Sequence, residues 1–166
     1  MFTTPIHWVA GLEPHRIGLM ARPRGGDQLA AEVDAWNLAG VNVVVSLLEA
    51  REVMDLELID EPALCARRGI EFRKLPIPDR GTPGSRKEFV DLIDLLAGDL
   101  DAGRALAIHC RAGIGRTGIV AACLVNRLGV PGGELFHRLS RSRGLAMPDT
   151  VAQIEWVEQY LANTRP

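Results

Sequence analysis

Two rhythms of apolar residues alternate along this chain. Short β-branched runs are separated by longer stretches in which apolar residues recur every three or four positions. Ile17–Met20 predicts a short strand, ended by the breakers Pro23 and Gly25-Gly26. Asp27 is placed to cap a helix carrying Leu29, Val33 and Trp36 on one face, with Gly40 as its stop. Val41–Leu47 has the nearly unbroken apolar character of a strand covered on both faces. Glu49–Arg68 predicts helix, interrupted near Pro62 and closed by Gly69, before Ile70–Leu75 returns as a strand.

Prolines and glycines make Pro76–Gly84 a loop. Ser85 and Glu88 have the spacing of a capping box, opening a helix whose inward stripe is Phe89, Leu92, Ile93 and Leu96. Ala105–His109 predicts the central strand, and Thr117–Leu128 is apolar nearly all round, as a helix buried in the domain must be. Two further helices are expected, one beginning at Pro131 and one capped by Asp149 with Val151, Ile154, Val157 and Leu161 inward. The alternation implies a single α/β domain over 1–166, with a central, mostly parallel sheet flanked by helices. Ligands in such folds bind beyond the carboxyl ends of the strands, which is where the segment after His109 lies.

Composition narrows the field. A chain of 166 residues can bury a substantial core, and its formal charge of −2 supplies no global basic field, so nucleic acid is not an expected partner. The basic runs at Arg22–Arg24, Arg67–Arg68, Arg86–Lys87 and Arg138–Arg143 read as solvated faces. Three cysteines without a Cys-x-x-Cys spacing, and no basic-then-apolar leader, point to a soluble protein of a reducing cytoplasm. No apolar run approaches the roughly 20 residues needed for membrane insertion.

The candidate chemistry lies in His109-Cys-Arg-Ala-Gly-Ile-Gly-Arg-Thr117. Gly113 and Gly115 let the backbone curl, and the amides of a curl entering a helix N-terminus form an anion site. Backbone groups of Arg111, Ala112, Gly113, Ile114 and Gly115 would line it, and Arg116 adds a two-pronged donor matched to two phosphate oxygens. Cys110 stands at the mouth of this positive well, a field that favours the nucleophilic thiolate. Thr117 is placed either to donate its hydroxyl to the sulfur or simply to open the helix. His109 reads as an orienter of the loop rather than a proton carrier.

Cys-x5-Arg-Thr preceded by His resembles the signature of protein tyrosine and dual-specificity phosphatases, and its spacing recurs by chance in roughly one window in a million. The wider pattern is similar to the cyclin-dependent kinase-associated phosphatase group. It takes in Val43-Val-Val-Ser-Leu47, Pro76-Ile-Pro-Asp79 with Gly81-Thr-Pro83, and Gly118–Leu124. The resemblance implies hydrolysis of phosphoric monoesters through a phosphocysteine at Cys110, with no metal and no cofactor. It also implies that Asp79 is the general acid, against the plainer reading of a turn aspartate. Arg80 beside it either touches substrate or solvates the loop. Gln153 resembles the glutamine with which tyrosine phosphatases position the attacking water, although Met147–Gln153 departs from their pattern and a helix-surface glutamine fits as well.

Substrate choice stays open at this level. Tyr160 is the only tyrosine, so no tyrosine-rich loop deepens the pocket, and a shallow site for phosphotyrosine and phosphoserine/threonine is expected of a monomeric enzyme. A phosphoinositide or another small phosphate ester is the alternative substrate. Arg111 at the rim either favours acidic substrates or faces water. Two rival classes are weaker. A phosphoprotein-binding module without turnover would not need Cys110, Arg116 and Asp79 together. Rhodanese-type loops are one residue shorter, and arsenate reductases need resolving cysteines. Cys123 and Cys65 both read as inert, Cys123 as a core residue, with Cys65 as a redox partner of Cys110 the lesser alternative.

Overall fold

The structure is a computed structural model and describes residues 2–164. Five strands form one sheet in the order β1-β2-β5-β3-β4, comprising β1 (His7–Trp8), β2 (Ile17–Met20), β3 (Val43–Ser46), β4 (Glu71–Lys74) and β5 (Leu106–His109). The last four in that order are mutually parallel, and β1 runs antiparallel on the edge beside β2. The α/β reading therefore holds, with β5 in the middle. The two-residue β1 is too short to leave a periodic signal.

Strand alternation distributes the core between two layers. Ile17, Leu19, Val43, Val45, Leu106 and Ile108 point to one face, where α4 (Arg86–Asp101), α5 (Gly115–Arg127), α6 (Leu135–Arg143) and α7 (Val151–Thr164) pack. Met20, Val44 and Ala107 point to the other, under α1 (Leu29–Leu38), α2 (Ala50–Asp55) and α3 (Glu61–Arg67). Residues 115 to 125 of α5 are all buried, which is why that segment carries almost no polar face. Among the described residues no helix is long and apolar enough to cross a membrane.

Several helix boundaries differ from expectation for local reasons. Asp27 does not cap α1; it lies inside a single 3-10 turn, Gly26–Gln28, that feeds the helix. The helical segment after β3 breaks at Leu56–Asp60, where Glu57 takes a φ of 56°, and Pro62 starts α3 instead of interrupting it. A proline in the first turn loses nothing, since its missing N–H would have had no helical partner. Ser85 caps α4 as expected, its hydroxyl accepting from the Glu88 amide at 3.2 Å. Thr150, not Asp149, caps α7, with Oγ1 accepting from the Gln153 amide at 3.1 Å. Gln153, Val157 and Tyr160 of α7 face inward, while Val151, expected inward, is 68% exposed. Tyr160 packs against Phe89 and Trp156, as a core residue.

Ile108→Ala, which empties a fully buried site on the central strand, is expected to cost about 2–5 kcal/mol. Val151→Ala should stay within about 0.5 kcal/mol of wild type. Urea unfolding of both variants checks this, and a comparable loss at Val151 would mean that α7 presents a different face.

Candidate active site

β5 ends at His109, and Cys110 opens the loop that α5 closes at Gly115. The carbonyls of this loop are drawn outward. His109 Nδ1 lies 3.2 Å from the Cys110 oxygen, the Arg22 amide donates to Arg111 O at 3.1 Å, and Arg143 donates to Ala112 O and Gly113 O at 2.9 and 3.2 Å. The amides of Arg111, Ala112, Gly113 and Ile114 find no protein acceptor among the described residues. Unpaired backbone donors at a helix N-terminus are an anion site. Gly113, at φ 72°, lies so close to β2 that a Cβ would collide with the Met20 carbonyl.

Side chains complete the site. Thr117 Oγ1 donates to Cys110 Sγ at 3.2 Å, and both residues are buried. Arg116 is 1% exposed. Its Nη1 and Nη2 donate to the two Glu52 oxygens at 2.6 and 2.9 Å, Nη1 also reaches Ile77 O at 2.9 Å, and Nη2 reaches Asp79 Oδ1 at 3.1 Å. Asp79 is about half exposed, with a side-chain exposure of 53%. Arg80 beside it adopts a φ of 59° and faces solvent. Arg111 is half exposed at the rim, 3.6 Å from Glu52. Gln153 is fully buried, so the helix-surface placement is wrong; its amide is bonded to backbone on three sides.

Three contributors escaped the sequence reading. Glu52 follows Glu49 at the start of α2, and its Oε1 accepts from the Glu49 amide at 3.1 Å. Burial would raise the Glu52 pKa, but hydrogen bonds from Arg116 and the Glu49 amide, with the charges of Arg116 and Arg111, hold it below the usual 4.5. Glu61 Oε1 lies 2.7 Å from His109 Nε2. A carbonyl only accepts, so His109 carries a proton on Nδ1, and the Glu61 carboxylate invites a second on Nε2. Burial works to lower the His109 pKa; the charge and hydrogen bond of Glu61, aided by the Cys110 carbonyl, outweigh it and raise the value above 6.5 against the opposing charge of Arg116. Arg143, read as part of a solvated basic run, is the clamp on the loop's outer side. The only sequence signal for the two glutamates was their position in the helical segment between β3 and β4.

A family model described as a polymorphic toxin system DSP-PTPase phosphatase matches residues 18–130, from β2 through α5 and including the whole Cys110 loop. The chain belongs to this family. β1, α6 and α7, which supply Arg143 and Gln153, lie outside the matched span of the phosphatase model. Among curated relatives, cyclin-dependent kinase inhibitor 3 of Rattus norvegicus is 34% identical over 96 residues, covering 55% of this chain and 44% of its own length. Tyrosine-protein phosphatase 1 of Caenorhabditis elegans is 37% identical over 68 residues, covering 36% and 6%. The chain spans less than half the length of the curated relatives it matches. In three dimensions it is similar to kinase associated phosphatase, solved with its catalytic-site cysteine replaced by serine. The TM-score is 0.89 at 21% identity over 98% of this chain and 97% of that one, a shared fold.

The His109–Glu61 pair carries a pH signature. Because folding raises the His109 pKa, the pair's stabilisation is complete below the unfolded value of about 6.5 and is lost as pH rises through the folded value. Glu61→Gln, whose amide can serve a neutral ring, is expected to cost about 1–3 kcal/mol in mildly acidic solution, and the gap to wild type should narrow in alkaline solution. Urea unfolding on both sides of the transition measures it. An equal gap at both means that the ring is neutral throughout.

Proposed function

We propose that this chain hydrolyses phosphoric monoesters of phosphoproteins by way of a phosphocysteine intermediate. The observation that carries the reading is the Thr117 hydroxyl donating to the buried Cys110 sulfur, in a loop whose amides are unpaired and which leads straight into the buried Arg116 guanidinium. The phosphoryl oxygens bind the amides of Arg111 through Gly115 and the Arg116 fork. With Nη1 committed to Glu52 and Ile77, the phosphate uses Arg116 Nε and competes with Asp79 for Nη2. Losing that contact turns the Asp79 carboxyl toward the leaving oxygen.

Cys110 Sγ then attacks phosphorus, forming the S–P bond as the P–O bond to the leaving group breaks. Asp79, which takes up a proton from solvent once phosphate has replaced it on Arg116, gives that proton to the departing oxygen. In the second step a water oxygen attacks phosphorus, Asp79 takes the water's proton, and the S–P bond breaks to return the thiolate and inorganic phosphate. The Thr117 hydroxyl stabilises the sulfur as nucleophile and as leaving group. His109, bonded through Nδ1 to the Cys110 carbonyl, orients the loop. Arg111 and Arg80, exposed at the rim, meet the substrate's flanking residues.

Cys65 and Cys123 stay outside this chemistry. Burial and then the Glu61 charge push Cys65 up to about 12, and burial raises Cys123 further, with only a weak opposing effect from Arg86. Neither is thiolate near neutrality. The chain acts as a monomer, and its three unpaired cysteines fit a reducing cytoplasm. The chain acts as one catalytic domain, since both layers of the sheet contribute to the site.

Hydrolysis of p-nitrophenyl phosphate in EDTA with a reducing thiol tests the reading. Cys110→Ser should abolish turnover, and Arg116→Ala should lower kcat/KM by about two to three orders of magnitude, the scale for one anion-stabilising donor. Retained activity in the serine variant removes the nucleophile assignment. Asp79→Asn should slow poor leaving groups far more than activated ones, by about 10²-fold or more. Equal losses on phenyl and p-nitrophenyl phosphate would move the acid role to another residue. Phosphopeptides should exceed phosphoinositides in kcat/KM, and the reverse order assigns a lipid substrate.

A further inference from the structure

We propose that Gln153 is a positioning residue for the general acid, holding the Asp79 loop against the phosphate cradle through the Gly81 carbonyl. The inference rests on the reading of Asp79 as the acid. Gln153 is completely buried, near the start of α7. Its Oε1 accepts from the amides of Asp149 and Thr150 at 3.0 and 3.1 Å. Two backbone donors on one atom fix the orientation of the side-chain amide, so the atom facing Gly81 O at 3.1 Å is the donating Nε2. The same side chain lies against the cradle: a Cβ on Gly115 would sit 2.9 and 3.0 Å from its Nε2 and Oε1.

Asp79 occupies a tight turn, closed by the Gly81 amide donating to Pro78 O at 2.8 Å, with Arg80 in the left-handed region. The turn is tied down on both sides of Asp79. Before it, Ile77 O accepts from Arg116 at 2.9 Å; after it, Gly81 O accepts from Gln153. The first anchor is the phosphate-binding arginine and the second touches Gly115 of the cradle. Gln153 therefore fixes where the acid stands relative to bound phosphate, and proton donation tolerates little displacement. Simple helix capping does not require the Nε2 contact. The Thr150 hydroxyl already accepts the Gln153 amide, and only Nε2 reaches beyond the start of α7.

The test compares kcat/KM on phenyl phosphate and p-nitrophenyl phosphate for wild type, Asp79→Asn, Gln153→Met, Thr150→Ala and the Asp79→Asn/Gln153→Met double variant. Gln153→Met should lose about tenfold more on phenyl phosphate than on p-nitrophenyl phosphate. It should add less than about threefold to Asp79→Asn, because both changes act on one step. Vanadate inhibition should stay within about threefold of wild type, and Thr150→Ala should affect both substrates alike. Equal losses of Gln153→Met on the two substrates, or a full additional loss in the double variant, overturn the inference. If the Met variant does not fold, Gln153→Glu keeps the length and the accepted hydrogen bonds while removing the donor to Gly81, and the same ratios decide. Should Asp79→Asn itself show no leaving-group dependence, the acid reading fails and this inference with it. If Asp79→Asn behaves as expected and Gln153→Met does not, the inference alone fails.

Discussion

A guanidinium with 1% of its surface in contact with solvent has to be balanced inside the protein, and most of the site is built around that requirement. Arg116 is met by both oxygens of Glu52, by the Ile77 carbonyl and by Asp79. Such an arrangement adds little to stability compared with an apolar core, because the desolvation of each charge offsets most of the attraction. Its presence makes sense where the charge has work to do. Glu52, nearly buried, and Asp79, half exposed, share the balancing of that charge, so part of it is held by a group within reach of solvent.

The same balancing ties the two sides of the sheet together. Glu52 and Glu61 come from the short helices α2 and α3 on one face, and Arg143 and Gln153 from α6 and α7 on the other. Between them lies a loop whose carbonyls are held by β5's own histidine, by the chain just after β2 and by α6. The loop's inward polarity is thus imposed from outside by three separate segments. Glycines permit that shape; the donors around it select it.

Much of this was readable from the chain. Apart from β1 and the split between α2 and α3, the order of strands and helices, the central position of β5 and the buried character of α5 followed from the apolar pattern, because those elements are long or apolar enough to carry one. The Cys110 loop was legible because its spacing is local: cysteine, glycines and arginine lie within eight residues. Glu52, Glu61 and Arg143 were not, since each reaches the loop from a distant segment and looks locally like a surface charge. Of the two readings of Gln153 the helix-surface one fails, because the side chain is fully buried. Asp149 and Thr150 are both good capping residues, and propensity does not separate two adjacent ones, so the start of α7 could not be placed from the pattern.

The contact of Gly113 with the Met20 carbonyl extends beyond the loop itself. Met20 is the last residue of β2 and stands opposite His109 in the parallel ladder with β5. Slipping that ladder by a single residue would turn the apolar side chains of β2 to the wrong face and withdraw the carbonyl on which the curl rests. A molecule assembled in the wrong register would still contain its cysteine, yet with no charged hollow around it. The pairing of two strands and the shape of a loop beyond them are thereby one and the same condition.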